Sequence, residues 1–358
     1  MSGEGEEEAF ATLGGWPAVL SALFGGEDLP GELAEVAFGE VLSGAATPAQ
    51  VAAFVTALRV KGETVEEMTA FVRSMLDHAE PMSIEGDLLD TCGTGGDRSR
   101  SINVSTIAAF VAAGAGAKVC KHGGRAASSA AGSADVLEAL GIVIDLGPEG
   151  VRRCVEETGM GFCFAPRFHP AMRHAAPVRR ELGVATVFNF LGPLANPARA
   201  RYQVVGVSDP NMADNMLGVL LANGARRAMV VHGDDGLDEL STTTTSTVLE
   251  ATADERGEPE VRRYRVDAGE LGLAPATAER LRGGDAATNA AVVERVLGGE
   301  PGPHRDIVCL NAAAALVVAG LALDLAEGVA LAGEVIDHGR AAGVLDRLRK
   351  VSHSAAEG

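Results

Sequence analysis

Residues 88–110, LLDTCGTGGDRSRSINVSTIAAF, place a glycine-rich segment between two apolar runs. The first run is typical of a buried strand, and the second, after Asn103, is typical of a helix. Glycine allows backbone N–H groups to approach an anion, and the start of a helix adds partial positive charge. The stretch therefore predicts a strand–loop–helix unit of an α/β fold whose loop can hold a phosphate, although a tight turn before a capped helix would give the same pattern. The loop has neither the ending of a Walker loop nor the spacing of a dinucleotide fingerprint.

The stretch 118–140, KVCKHGGRAASSAAGSADVLEAL, repeats this order of strand, glycine-containing loop and helix. Its loop also carries cations and hydroxyl groups, and two such loops on one sheet favour a ligand with two phosphate groups. The charged residues could instead be solvated at the surface, which is their commoner environment, and the histidine could be structural. The polar residues concerned are Lys121, His122, Arg125, Ser128, Ser129 and Ser133.

A third segment, HGDDGLDEL at 232–240, follows an apolar run and contains Asp234, Asp235, Asp238 and Glu239. Mg²⁺ prefers a few carboxylates together with water and substrate oxygens. Because ligands gather at the carboxyl ends of strands in α/β sheets, this segment predicts a magnesium site beside the two glycine loops. A solvated acidic turn is the alternative.

Short apolar or β-branched runs alternate with helical patterns after residue 86, which indicates a mostly parallel sheet. Residues 15–80 show only helical patterns, with capping boxes that begin at Thr47 and Thr64 and a glycine stop at Gly62. A helix and a proline-rich loop at 169–198 interrupt the strand pattern. Strands are predicted within 87–92, 117–123, 141–147, 161–166, 203–209 and 227–233, and the C-terminal stretches are predicted to be helical.

These patterns predict an α/β fold in which a small, discontinuous helical domain accompanies a larger α/β domain with a central, mostly parallel sheet. Residues 1–14 are expected to form a disordered acidic tail, and 15–85 the helical domain, completed by part of 170–200. Residues 86–169 and 201–358 are assigned to the α/β domain. The apolar faces of the first helices need a partner, which a bundle or a dimer interface would supply.

The chain has 358 residues, of which 47% are apolar, and a formal net charge of −19 from 30 basic and 49 acidic residues. This acidic balance argues against a nucleic-acid-binding protein, because no basic surplus is available to displace counterions. An anionic ligand would therefore need local cations, metal ions or helix N-termini. Five cysteines without a CxxC pair are typical of reduced thiols in a cytoplasmic protein. The acidic first residues are unlike a signal peptide, and the longest apolar run, 312–323, is shorter than the roughly 20 residues of a membrane span.

Seven motifs follow one another in order from Asp90: DTCGTGGD, NVST, KHGGRAASS, GSADVLEALG, FAPRFHPAMRHAAPVRRELG, FNFLGPLANP and HGDDGLDEL. In these motifs, and over nearly its whole length, the chain resembles the anthranilate phosphoribosyltransferase family of tryptophan biosynthesis. The resemblance implies a homodimer formed through the helical domain. It also implies transfer of a phosphoribosyl group from phosphoribosyl pyrophosphate (PRPP) to the amino group of anthranilate, with Mg²⁺ as cofactor and release of pyrophosphate.

The resemblance also implies roles for individual residues. The residues that would bind PRPP are Gly93, Thr94, Gly95, Gly96, Asp97, Ser101, Asn103, Val104, Ser105, Thr106, Lys121, His122, Gly123, Gly124, Arg125, Ala126, Ala127, Ser128, Ser129 and Ser133. Those that would face anthranilate are Gly93, His122, Gly124, Ala165, Pro166 and Arg179, and the metal ligands would be Ser105, Asp238 and Glu239. No covalent nucleophile is predicted, because placing the substrates together and stabilising the departing pyrophosphate can account for the reaction.

Gly124 departs from the family pattern, in which an asparagine at this position contacts the acceptor. The missing asparagine side chain removes one hydrogen bond to the acceptor, a loss of about 0.5–1.5 kcal/mol. Ser101 replaces a threonine and keeps the hydroxyl, and Arg179 could also be a surface charge of its helix. The alternatives are a phosphoribosyltransferase for a different aromatic amine, a non-catalytic paralogue that binds nucleic acid or another polyanion, and a nucleoside phosphorylase, which shares the fold.

Overall fold

A seven-stranded sheet lies at the centre of the fold, for which the computed structural model describes residues 9–97, 99–126, 130–253 and 258–357. Its strands are β1 (Leu88–Gly93), β2 (Lys118–Gly123), β3 (Met160–Phe164), β4 (Tyr202–Gly206), β5 (Arg227–Gly233), β6 (Ser246–Ala253) and β7 (Pro259–Val266). Across the sheet they follow the order β3-β2-β1-β4-β5-β6-β7. The first five in this order are parallel, and β6 and β7 complete one edge in antiparallel pairing. The prediction of a central, mostly parallel sheet is confirmed.

Two features of the sheet differ from the sequence prediction. The strand expected at 141–147 is wrong: Ile142 and Ile144 are buried in the alternation that suggested it, but the segment has no regular secondary structure. The N–H of Val143 donates to Ser352 Oγ at 3.1 Å instead of to a neighbouring strand. Strands β6 and β7 were not predicted. Strand β7 gives no apolar signal, because it is largely exposed and carries charged side chains.

Between residue 15 and the sheet lie four helices: α1 (Gly15–Phe24), α2 (Gly31–Ser43), α3 (Pro48–Lys61) and α4 (Val65–Asp77). Both predicted capping boxes are present. Gln50 Oε1 accepts the N–H of Thr47 at 2.8 Å, and Glu67 Oε2 accepts the N–H of Thr64 at 2.9 Å. Gly62 ends α3 with a φ of 92°, a conformation that favours glycine.

The apolar core of these helices extends towards the N-terminus. Phe10 is 5% exposed and lies edge-on to Trp16 at 5.5 Å between ring centroids, and residues 9–12 are helical. The expectation of a disordered tail over 1–14 is therefore wrong for its second part, because Phe10 belongs to the core. Residues 1–8 lie outside the described part of the chain.

The remaining helices surround the sheet. They are α5 (Val104–Ala115), α6 (Ser133–Ala139), α7 (Pro148–Thr158), α8 (Ala165–Phe168), α9 (Ala176–Leu182), α10 (Phe188–Leu194), α11 (Ala213–Ala222), α12 (Ala286–Leu297), α13 (Pro303–Val318), α14 (Leu325–Asp337) and α15 (Arg340–Ala356). The proline-rich loop expected at 186–198 is wrong over α10, which contains Pro193. The buried side chains of Phe188 and Leu191 hold this short helix in spite of the proline. None of the described helices is long and apolar enough to span a bilayer.

The two faces of the sheet belong to different apolar cores. Successive strand residues point to opposite faces, so Val204 of β4 packs with α5 and α13, whereas Val205 packs in the core that contains α1–α4. Val178 and Phe188 share this second core, as expected if part of 170–200 completes the helical domain. Helix α11 also lies in it, although the sequence analysis assigned α11 to the α/β domain. The exact division into domains stays a prediction.

Candidate active site

A cleft of about 520 Å³ opens at the carboxyl ends of β1 and β2, beside the loop after β5. Every described residue that was predicted to bind PRPP lines it: Gly93, Thr94, Gly95, Gly96, Asp97, Ser101, Asn103, Val104, Ser105, Thr106, Lys121, His122, Gly123, Gly124, Arg125, Ala126 and Ser133. Asp238 and Glu239 line the same cleft. Ala127, Ser128 and Ser129 lie outside the described residues. The three sequence segments therefore meet in one place, as the sheet topology requires.

Two glycines at the ends of parallel strands allow Asp238 to reach the cleft. A Cβ on Gly206, at the end of β4, would lie 1.6 Å from the carbonyl oxygen of Asp238. A Cβ on Gly93, at the end of β1, would lie 2.3 Å from Asp238 Oδ2. The same carboxylate accepts the N–H of Gly95 at 2.7 Å. Because Gly93 and Gly206 have no side chains, the loop after β5 can pack directly onto the first glycine loop.

Glu239, Ser105 and Lys121 form a second contact between the segments. Glu239 Oε1 accepts the N–H of Ser105 at 3.0 Å, near the start of α5. Lys121 Nζ donates to Ser105 Oγ at 3.3 Å and also bonds the carbonyl oxygen of Thr91. Lys121 is 2% exposed, so its ammonium group is a buried cation at the base of the cleft. Ser105 therefore contacts the cation through its hydroxyl group and the carboxyl group through its backbone N–H.

The carboxyl groups of this cluster hold protons more tightly than usual. Burial, reinforced by the charge of Asp97, raises the pKa of Asp238 to about 7. Burial and the neighbouring Asp238 raise the pKa of Glu239 to about 8. Because each pKa is raised by loss of solvent and by like charge, a bound cation would favour ionisation of both groups. Such a pair is a candidate metal site on physical grounds.

A buried carboxyl group below the cleft joins β1 to β2. Asp90 Oδ2 accepts from Asn196 Nδ2 at 2.7 Å, and Asp90 Oδ1 accepts the N–H of His122 at 3.2 Å. Asn196 Nδ2 also donates to the carbonyl oxygen of Cys120 at 2.8 Å. Burial raises the pKa of Asp90 to about 6, and the charge of Lys121 opposes this rise. The motifs that contain Asp90 and Asn196 thus fix the strand ends that carry His122 and Lys121.

The second glycine loop is closed by hydrogen bonds to Asp135, at the start of α6. Asp135 Oδ2 accepts the N–H groups of Gly132 at 2.8 Å and Ala126 at 3.1 Å. Arg125 donates to Asp135 Oδ1 at 2.9 Å and also pairs with Glu138. The guanidinium group predicted to contact PRPP is therefore paired with carboxylates of α6.

His122 is the histidine of the cleft. It is 5% exposed, and its Nδ1 lies 3.1 Å from the carbonyl oxygen of Gly192. Burial, with His169 5.0 Å away between ring centroids, lowers the pKa of His122 to about 3. Its Nε2 has no hydrogen-bond partner among the described residues. The ring is therefore neutral, with one unused nitrogen.

The predicted acceptor residues outside the glycine loops are not part of the wall of this cleft. Pro166 is exposed, whereas Ala165 lies behind Gly124, where a Cβ at residue 124 would be 3.8 Å from that of Ala165. Arg179 is half-buried, with its guanidinium group 5.1 Å from the centre of the Phe188 ring. Burial lowers its pKa. Arg179 lies one turn before Gly183, which does line the cleft.

Several cleft residues were missed by the sequence analysis. Asn189 is one of them. Its Oδ1 accepts the N–H of Thr186 at 3.0 Å, so its amide nitrogen points away from Thr186. Its motif, FNFLGPLANP, was recognised, but it was expected to form a loop without a residue at the site. The other lining residues without a predicted role are Cys92, Ser99, Arg100, Ile102, Ala131, Gly132, Gly183, Val184 and Ala185.

Known proteins resemble this chain over almost its full length. The model of the glycosyl transferase family, a/b domain, matches residues 85–342, and that of the helical bundle domain of the same family matches residues 17–79. An anthranilate phosphoribosyltransferase of Roseiflexus castenholzii is 54% identical over 328 residues, which cover 91% of this chain and 95% of the relative.

The chain belongs to the anthranilate phosphoribosyltransferase family. Among solved structures, the Thermus thermophilus member is 44% identical with a TM-score of 0.87, over 94% of this chain and 99% of its own. The Saccharomyces cerevisiae member in complex with PRPP and Mg is 27% identical with a TM-score of 0.86, over 95% and 98% of the two chains. A further structure of the yeast enzyme, 26% identical with a TM-score of 0.85 over the same shares, contains 4-fluoroanthranilate. The family expected from the motifs is therefore confirmed, together with its helical and α/β parts.

Proposed function

We propose that the protein transfers the phosphoribosyl group of PRPP to the amino group of anthranilate. A bond forms between the anthranilate nitrogen and C1 of the ribose, the bond from C1 to the pyrophosphate oxygen breaks, and the amine loses a proton. The observation that carries this proposal is the meeting of two glycine loops, a buried lysine and a carboxyl pair in one cleft. The yeast relative was solved with PRPP and Mg, and with an anthranilate analogue.

Positive potential inside this acidic protein has three sources. Lys121 is a buried cation, the first glycine loop offers backbone N–H groups, and α5 begins at the cleft. Asn103 is the N-cap of α5 but makes no side-chain capping bond, and the N–H of Ser105 in the first turn donates to Glu239. A diphosphate is the anion that fits such a distributed set of donors. These groups hold PRPP and stabilise the charge on the departing pyrophosphate.

The residues present fit Mg²⁺. Asp238 and Glu239 lie side by side with raised pKa values, and Ser105 adds a hydroxyl group. No group of three or more His, Cys, Asp or Glu side chains suited to a metal occurs among the described residues. Two carboxylates completed by water and substrate phosphate are the set that magnesium usually takes. When bound, the ion neutralises phosphate charge and makes pyrophosphate a better leaving group.

The chain's own residues bring the two substrates together, and the proposed reaction needs no covalent intermediate. Burial raises the pKa of the Cys92 thiol well above its ordinary value, so this cysteine in the cleft is not a thiolate. The neutral His122, with its unused nitrogen, and Gly124 lie on the acceptor side of the proposed site. Arg179 reaches the acceptor if its side chain leaves the ring of Phe188. The carboxylate of anthranilate would attract this cation.

A cytoplasmic homodimer, formed through the helical bundle, is part of the proposal. Phe24 on α1 and Val60 on α3 are 70% and 83% exposed, which leaves apolar surface on the bundle for a second copy. All five cysteines are free and buried, as expected of a protein in a reducing compartment. Light scattering of the wild type and of Phe24→Ser with Val60→Ser tests the dimer, and a wild-type monomer would contradict it.

Anthranilate fluorescence tests the function directly. The signal should decay only when PRPP and Mg²⁺ are both present, and pyrophosphate should appear in equal amount. Because residue 124 lacks the side-chain amide of the family loop, a different aromatic amine is the second candidate acceptor. A panel of aminobenzoates distinguishes the two: fastest turnover with another amine would replace anthranilate, and no turnover with any would overturn the transferase assignment.

A further inference from the structure

Asn289 lies behind the first glycine loop and was singled out by no sequence motif. It is in the first part of α12 and is 3% exposed. Its Nδ2 donates to Asn103 Oδ1 at 2.9 Å, and its Oδ1 accepts the N–H of Gly284 at 2.7 Å. A residue of the C-terminal third thus contacts an amide side chain that lines the cleft.

The orientation of both amides is fixed by backbone groups at the two ends of this chain of hydrogen bonds. The N–H of Gly284 can only donate, so Asn289 turns its oxygen to Gly284 and its nitrogen to Asn103. At the other end, Asn103 Nδ2 donates to the carbonyl oxygen of Ala131 at 3.0 Å. This carbonyl can only accept, so Asn103 turns its nitrogen to Ala131 and its oxygen to Asn289. The two side chains have one mutually consistent arrangement.

The backbone near Asn289 is shaped to allow this contact. A Cβ on Gly283 would lie 2.6 Å from Asn289 Oδ1 and 2.9 Å from the carbonyl oxygen of Ser101. The N–H of Ile102 donates to the carbonyl oxygen of Leu281 at 3.1 Å. The segment before α12 therefore supports the chain between the first glycine loop and α5.

This arrangement keeps Asn103 from capping its own helix. Asparagine at an N-cap position usually accepts an N–H from the first turn, yet Asn103 makes no such bond. Its oxygen is held instead by Asn289. The N–H groups at the start of α5 have other partners: that of Ser105 donates to Glu239 Oε1 at 3.0 Å, and that of Thr106 donates to the carbonyl oxygen of Asn103 at 3.1 Å.

We propose that Asn289 is a positioning residue for PRPP: it holds the Asn103 amide, which lines the cleft, in the orientation that the ligand meets. The inference rests on the proposed function. Without Asn289, Asn103 Oδ1 would lose its hydrogen-bond donor, and the amide would be able to turn out of the orientation that PRPP meets. PRPP binding would weaken, while the acceptor side of the cleft would be unaffected.

Asn289→Asp tests this proposal, because it keeps the shape and the bond to Gly284 but places an oxygen against Asn103 Oδ1. We expect the Kd of PRPP, measured by calorimetry with Mg²⁺, to rise about five- to tenfold, the value of one lost hydrogen bond. The KM of anthranilate at saturating PRPP should change by less than about twofold, because Asn103 is not assigned to the acceptor. Asn289→Ala removes the contact without adding charge and should also raise the Kd of PRPP. It serves as a second variant if Asn289→Asp does not fold.

Asn215→Asp is the matched control. This amide on α11 also donates to a backbone carbonyl, that of Glu63 at 2.7 Å, outside the cleft. Its substitution should leave the Kd of PRPP unchanged. Equal effects of the two substitutions on the Kd would show a general loss of stability and overturn the proposal.

A double-mutant cycle separates action through Asn103 from other effects. Adding Asn289→Asp to Asn103→Ala should change the Kd by less than about twofold, because the intermediary is already gone. Additive losses would overturn the inference. Wild-type binding with an unchanged Kd in Asn289→Asp would overturn this inference alone, whereas a wild type that binds no PRPP would overturn the proposed function as well.

Discussion

Two pairs of carboxylates in the loop after β5 are only four residues apart and lie in opposite environments. Asp234 and Asp235 are exposed and already have partners: Thr245 donates to Asp234 at 2.5 Å, Ser241 donates to Asp235 at 2.8 Å, and Arg265 also pairs with Asp234. Asp238 and Glu239 face the cleft, have raised pKa values and receive mainly backbone N–H groups. The first pair holds the loop together, and the second has bonding capacity left for a ligand. The difference shows that carboxylates alone do not identify the metal site. The site is identified by carboxyl groups whose surroundings do not yet neutralise their charge.

The sharpest test of this difference compares the two pairs by substitution. Asp238→Asn with Glu239→Gln should reduce magnesium-dependent turnover by at least about a hundredfold, because the metal site is lost. The thermal midpoint should fall little, since neutral amides avoid the repulsion between buried charges. Asp234→Asn with Asp235→Asn is the matched control and should lower stability by about 1 kcal/mol per lost hydrogen bond. Its turnover at a temperature where it is folded should stay within about threefold of wild type. The reverse pattern would contradict the assignment of the two pairs.

A second test displaces the turn that brings Asp238 to the cleft. Gly206→Ala should lower the free energy of unfolding by about 3 kcal/mol, because its Cβ would meet the backbone oxygen of Asp238 at 1.6 Å. Activity should be lost even at temperatures where the variant is folded. Gly333→Ala on α14 is the control, since its Cβ would come within 3.6 Å only of the Arg305 side chain. Chemical denaturation and turnover check both, and a fully active Gly206→Ala would show that the close approach is unnecessary.

The raised pKa values predict how pH affects the cleft pair. Mg²⁺ binds the ionised carboxylates, so its apparent Kd should tighten by at least about tenfold from pH 6 to pH 8. The metal-free protein behaves in the opposite way. Its carboxyl groups hold protons that the unfolded chain releases, so its stability should fall as pH rises from about 4.5, the ordinary glutamate value, to about 8. Calorimetry and thermal melts with and without Mg²⁺ measure both trends. A metal affinity independent of pH would contradict the raised values.

The smallest expected effect concerns the acceptor side of the cleft. Gly124→Asn restores the amide found in the family loop. The new side chain has room, because only Ala165 lies within 4 Å of a Cβ at residue 124. The KM of anthranilate should fall by about two- to tenfold, while that of PRPP changes little. Arg179→Ala should act in the other direction on the same constant. An unchanged anthranilate KM in Gly124→Asn would mean that the missing amide is not used.

Much of this comparison could be predicted from the sequence. Glycine loops, capping boxes and strand periodicity are local signals, and they are sufficient to place Gly93, Lys121 and Asp238 at a shared edge of the sheet. The separate fates of Asp234 and Asp238 could not be predicted, because they depend on threonines that follow the loop and on the Gly206 contact with the loop backbone.

Contacts between distant segments were also beyond the sequence. Asn289 lies 186 residues from Asn103 along the chain, so no local pattern connects them. The buried alternation at 141–147 suggested a strand because burial, rather than hydrogen bonding, sets the pattern of side chains. The exposed edge strand β7 was not predicted for the opposite reason, because it pairs through its backbone without an apolar face.

A crystal structure with PRPP and Mg²⁺ tests the central claim most directly. It should show the pyrophosphate between the first glycine loop and Lys121, with the metal bound by Asp238 and Glu239 and no metal at Asp234 or Asp235. A pyrophosphate that binds elsewhere, or a metal held by Asp234 and Asp235, would contradict the account.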